Sequence, residues 1–156
     1  MKTLSVMWIY LAMLIAIAGV VIHVGAVVAG PEWFAFFNAP PSVVASARSG
    51  TWLAPVSALV IAGLMAICVV YAASAVGLVR RPPLQRLGLA GMAAVCLLRA
   101  LLLPVLAVHH PELRNTFEVV SALVWGAAGV GFAVGFRVAK AGPNNSFKPK
   151  PLRGSA

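Results

Sequence analysis

Four apolar runs, at residues 4–29, 55–79, 87–108 and 117–138, leave this chain few ways to fold. The shortest have 22 residues, which make roughly 33 Å of helix, enough to cross the hydrocarbon of a bilayer. A soluble domain keeps about a quarter of its residues charged. Here 10% are charged and 62% are hydrophobic. The solvent that tolerates such a surface is lipid. The sequence therefore predicts an all-α integral membrane protein, a four-helix transmembrane bundle over residues 1–139. A disordered basic tail over 140–156 follows, with too few apolar residues to pack.

The first run starts directly after Met1, Lys2 and Thr3, and Val27-Val28-Ala29 resembles a signal-peptide cleavage site. A signal peptide's apolar region is about 7–15 residues long, far shorter than this run, so an uncleaved helix is expected. Between the first two runs, Trp33, Phe34, Phe36 and Phe37 surround an alanine beside Glu32. Such rings suit the headgroup boundary. Pro40-Pro41-Ser42 then opens a short helix, capped by Ser42 and ended by Gly50 after Arg48. Asn115 or Thr116 is placed to cap the fourth run.

The net charge of +9 does not point to nucleic acid, because the basic residues sit at the ends of apolar runs and in the tail. With the N-terminus inside, Lys2, Arg80, Arg81, Arg86, Arg137, Lys140, Lys148, Lys150 and Arg153 fall on the inner side. Arg48 and Arg114 fall outside, with all three acids, Glu32, Glu112 and Glu118. Nine basic residues against two, in loops this short, predict both termini inside, an N-in/C-in topology.

Small residues recur at helical spacing on every run. Ala12, Ala16, Gly19, His23 and Ala26 share a face of the first, and Ala58, Ala62, Ala66, Ala73 and Gly77 align on the second. Ala93, Ala100 and Ala107 recur on the third, and Ala127, Gly131 and Gly135 on the fourth. Close backbone approach at such residues drives helix association in lipid. Glu118 and Gly131 face different ways on the fourth helix. One face suits internal packing and the other a second copy, a pattern compatible with a homodimer.

One residue stands out chemically. Arg99 lies thirteen residues from Arg86 and ten from His109, near mid-membrane. Insertion costs about 2.5–3.5 kcal/mol for such a group, which the helix's eleven Leu and Val residues offset at about 0.3–0.6 kcal/mol each. The helix inserts, and the arginine seeks a partner. Pro104 withholds the N–H that would bond the Ala100 carbonyl, which adds a free acceptor nearby. Glu118 and Glu32 are the candidate acids, and His23 lies on the small-residue face. Two readings stand side by side: a polar pocket of His23, Glu32, Arg99 and Glu118 in the outer half of the bundle, or an intramembrane ion pair that only fixes helix register. No cofactor is expected. His109 and His110 point about 100° apart on a helix and lack a carboxylate at ligand spacing. A haem between His23 and His109 or His110 is the weaker alternative. Cys68 and Cys96 lie inside apolar runs without CxxC spacing, and no catalytic signature occurs.

Gly30-Pro31-Glu32-Trp33-Phe34-Ala35-Phe36-Phe37-Asn38-Ala39-Pro40-Pro41, taken with Leu97-Leu98-Arg99-Ala100-Leu101-Leu102-Leu103-Pro104, resembles a group of small four-helix bacterial membrane proteins. The resemblance covers residues 1 to about 139 and implies a multi-pass protein of the bacterial cytoplasmic (inner) membrane, without implying an activity. The tail from Asn144 to Gly154 resembles extensions made when a gene reads in frame through an integron-cassette repeat; a basic membrane anchor is the alternative.

The expected role is non-enzymatic: an accessory subunit, or a binder of a small molecule or lipid. The bilayer is its partner, with a homodimer or a larger membrane complex as further partners. A small dimeric transporter is the alternative. The chain is similar in size to the small multidrug exporters, whose first-helix glutamate is replaced here by His23 as the sole ionisable group. A membrane enzyme is a third class, since Arg114-Asn115-Thr116-Phe117-Glu118 is superficially similar to the Arg/Asn/Glu motif of small glutathione-linked four-helix proteins. Deleting residues 141–156 should leave membrane insertion unchanged, as judged by alkaline extraction; loss of the protein from the membrane fraction would show the tail to be an anchor.

Overall fold

The computed structural model describes residues 2–111 and 114–141. Six helices follow in chain order: α1 (Lys2–Ala29), α2 (Pro31–Phe36), α3 (Pro41–Arg48), α4 (Leu53–Ala75), α5 (Gln85–His109) and α6 (Thr116–Ala141). Among the described residues there is no strand. α1, α4, α5 and α6 are each long and apolar enough to cross a membrane. α6 continues through Ala141, so the expected tail begins later than residue 140; residues 142–156 lie outside the described residues.

The helix ends follow local chemistry more closely than apolar composition. The run expected to be helical to Val79 stops at Ala75, because Gly77 adopts φ 81°. The Gly77 N–H then donates to the Ser74 carbonyl (3.3 Å) and the Leu78 N–H to the Ala73 carbonyl (3.0 Å), closing the last turn. Gly77 is therefore a helix stop and not part of the α4 packing stripe. α2 ends in the same way with Asn38 in the left-handed position, at φ 54°. α4 starts at Leu53, two residues ahead of the expected Pro55, and α3 explains the start. The buried Ser46 hydroxyl accepts the Ala54 N–H (3.0 Å), capping α4 from a neighbouring helix. Ser42 does not cap α3; Pro40 takes that place without a side-chain bond. Asn115 caps α6, its Oδ1 accepting the Glu118 N–H at 2.9 Å.

α1 is central. It packs along α4 on one side and α6 on the other, and α5 packs chiefly on α6. α4 meets α5 only slightly, near the turn that joins them. There the Gln85 side chain donates to the Ser74 hydroxyl (2.8 Å) and Tyr71 to the Pro83 carbonyl (3.0 Å). All four long helices converge at this turn end, around Ile9, Ala12, Ala72, Leu89, Ala93, Cys96, Ala128 and Phe132. The opposite end is covered by α2 and α3, where Phe34 is buried against Ala26, Ala54 and Ala58.

The packing is inverted relative to a water-soluble core. Among the described residues, ten of the fifteen buried hydrophobic residues are alanines, while leucines and valines point outward along every long helix. Alanine brings backbones together, and the large side chains meet lipid. α1 and α6 approach closely: a Cβ at Gly131 would collide with the Trp8 carbonyl oxygen and the Ala12 methyl. By contrast, Gly91 is exposed, with open space beside it. Gly131→Ala should therefore destabilise by about 1–3 kcal/mol through overpacking, and Gly91→Ala should be neutral or slightly stabilising. Unfolding in mixed micelles measures both.

Candidate functional site

From the turn end outward, α5 and α6 run antiparallel with Gly129 against Leu97 and Gly126 against Ala100. Beside these contacts the pair does not close. α6 presents Trp125, Ala122 and Ser121, α5 presents Leu98, Leu102, Leu103 and Leu106, and a cleft of about 480 Å³ opens between them. Three polar residues line it: Arg99, Ser121 and Glu118.

Arg99 is exposed to this cleft and not sealed within the bundle. Its guanidinium carbon stands 5.4 Å from the centre of the Trp125 ring. A cation over a tryptophan face in a desolvated setting gains about 2 kcal/mol or more, a large part of the insertion cost. Among the described residues, Arg99 forms no ion pair; the pair that forms there joins Arg48 and Glu32 at 3.7 Å. The helix register shows why Glu118 does not reach Arg99. Residues 97 and 100 face 129 and 126, so Arg99 is level with residue 127. Glu118 lies nine residues further along α6, roughly 13 Å toward the cap end. It stands in the first turn of its helix, where a negative charge is favoured, and its Oε1 accepts a hydrogen bond from Asn38 Nδ2 at 3.2 Å.

The expected pocket of four residues is thus divided in space. Arg99 and Glu118 line one cleft, at its floor and its mouth. His23 is half-buried on α1 and bonds through Nδ1 to the Gly19 carbonyl, 2.7 Å away in its own helix. Glu32 lies on α2, and with side chains 86% and 63% exposed its pair with Arg48 adds little. Neither His23 nor Glu32 is among the residues lining the cleft. Trp125 and Asn38 were not singled out in the sequence. Trp125 carried a signal, since an indole deep inside an apolar run lies away from the interface where such rings gather. Among the described residues, no group of three or more His, Cys, Asp or Glu side chains is placed to hold a metal ion.

Compared with known proteins, the chain matches no family model, no curated protein and no solved structure. The geometry of the cleft makes Arg99 and Glu118 independent. Arg99→Leu removes both the insertion cost and the ring contact, terms of similar size, and should leave stability unchanged or raised. A double-mutant cycle with Glu118→Gln should be additive within about 0.5 kcal/mol. A larger coupling in mixed-micelle unfolding would restore the ion-pair reading.

Proposed function

We propose that this chain is a ligand-binding or accessory protein of the bacterial cytoplasmic membrane, taking a small membrane-dissolved molecule into the cleft between α5 and α6. The observation that carries this reading is the cleft itself: about 480 Å³, leucine-walled, with Arg99 at its floor. That volume falls within the range of about 300–1,000 Å³ usual for small-ligand sites, and few polar groups on apolar walls are the usual lining. The charge distribution supports a topology with both termini inside, and the α2–α3 cap outside. In that orientation the cleft belongs to the outer leaflet, and a molecule dissolved there reaches it sideways, without passing the headgroup layer.

Binding is favoured over proton-coupled exchange by the placement of the ionisable groups. Glu118, the acid of the cleft, stands in the first turn of α6 and is held by Asn38. The charge at depth is a cation. Nor is a catalyst favoured, since Arg99, Ser121 and Glu118 offer no nucleophile engaged with a base.

Filling the cleft tests the reading. In a Trp8→Phe, Trp33→Phe, Trp52→Phe background, which leaves Trp125 as the remaining tryptophan, a doxyl-labelled stearoyl probe should quench emission saturably. Leu102→Trp narrows the cleft and should weaken binding at least about tenfold. Leu64→Trp, on an exposed α4 position, should bind as before, with both variants measured by electron paramagnetic resonance of the probe. Equal loss in both variants would overturn the assignment.

A further inference from the structure

The four described arginines outside the α4–α5 turn and the α6 C-terminus are employed differently. Arg48 pairs with Glu32. Arg86 lies over the Phe136 ring at 5.1 Å, at the end of the bundle. Arg114 caps the end of α5, donating to the Ala107 carbonyl (2.7 Å) and the Val108 carbonyl (3.2 Å). Arg99 alone among these four lies ten residues inside a spanning helix, and among the described residues its polar group meets only the face of Trp125. A ring engages the flat face of a guanidinium. It leaves the five N–H donors, which lie in the guanidinium plane, without acceptors. In an apolar setting such donors and their charge demand an acceptor of opposite sign. The nearest acid on the cleft wall is one third of the helix away and already bonded to Asn38.

From this we infer that the cleft's occupant is an anionic single-chain amphiphile, which supplies to Arg99 the counter-charge that none of the described residues supplies. This rests on the cleft being a binding site. A carboxylate or a phosphate monoester matches the fork of the guanidinium in two parallel hydrogen bonds. The chain of the ligand lies against Leu98, Leu102 and Leu106, and the cleft's volume suits one chain and not the two of a phospholipid. Glu118 at the mouth adds selectivity. It repels an anion approaching along the α6 end, so the anionic group is held at Arg99 and not at the rim.

The test compares three probes of equal chain on full-length protein in phosphatidylcholine nanodiscs at alkaline pH: doxyl-labelled stearic acid, its methyl ester, and the corresponding alkyl phosphate. The acid, the phosphate or both should bind about tenfold or more tighter than the ester, the gain expected for hydrogen bonds to a charged group. Which of the two binds tighter distinguishes the carboxylate source from the phosphate source. Arg99→Leu should bring the anions down to the level of the ester and leave ester binding unchanged, whereas Arg99→Lys should keep part of the preference. Equal binding of all three probes, abolished by Leu102→Trp and indifferent to Arg99→Leu, would overturn the anionic ligand and leave the cleft as a neutral-lipid site. Binding by none of the probes, or binding indifferent to Leu102→Trp, would overturn the cleft reading and this inference together.

Discussion

Apolar side chains gain almost nothing by leaving lipid for one another, so this fold depends on how closely its backbones can approach. Alanine and glycine set that distance. Where they line both partners, as along α1 with Ala12, Ala16 and Ala26 buried, the helices close. Where they stop, the helices part. The last small-on-small contact between α5 and α6 is Gly126 against Ala100. The next residue of α6 is Trp125, and α5 continues with Leu101, Leu102 and Leu103. The cleft opens beside that contact, lined on α5 from Val95 to Leu106. It is a consequence of side-chain volume along the two helices, and does not need a kink or a missing element to explain it.

The same limit on packing explains the division of labour between the two ends. At the turn end four helices share one core. At the other end α4 and α1 are covered by α2 and α3, whose Phe34, Val43 and Val44 do the filling that alanine cannot do over a wide gap. The bond from Asn38 to Glu118 then ties that cap to the first turn of α6, next to the mouth of the cleft. Asn38 reaches there because α2 terminates with this residue in the left-handed conformation, which asparagine adopts more readily than most. A local backbone requirement thus places the side chain that restrains Glu118.

Hydropathy made the four spans legible, because 22 or more apolar residues in a row have few other uses. The small-residue stripes marked fewer than half of the buried positions among the described residues: Ala12, Ala16, Ala26, Ala58, Ala62, Ala73, Ala93, Gly131 and Gly135 are buried, whereas Ala66 is exposed and Ala128 is buried in place of Ala127. Helix ends were less legible. Gly77 fits both a packing stripe and a left-handed stop, and only the chain that follows decides between them. The site was legible in part. Helical periodicity places Arg99 on a face of α5, but which residues stand opposite depends on the antiparallel register of α6. That register is fixed by Gly126 and Gly129 against α5, not by attraction between charges. Charge alone would pair Arg99 with the nearest acids, whereas the packing brings it to an indole.

Energetics separates a structural arginine from a functional one here. At the midplane the group costs about 2.5–3.5 kcal/mol, and the face of Trp125 returns about 2 kcal/mol of it. A leucine at the same position would carry neither term and would suit the neighbouring leucines. Register is already set elsewhere, by the glycines of α6 and by the bonds that join Gln85 to Ser74 and Tyr71 to Pro83. The arginine therefore contributes nothing to the fold that smaller or apolar residues do not already supply. What it does contribute is a positive charge with free donors, held by a ring at a fixed height in an apolar cleft. Such an arrangement leaves the protein's own charges incomplete, and a bound anion completes them.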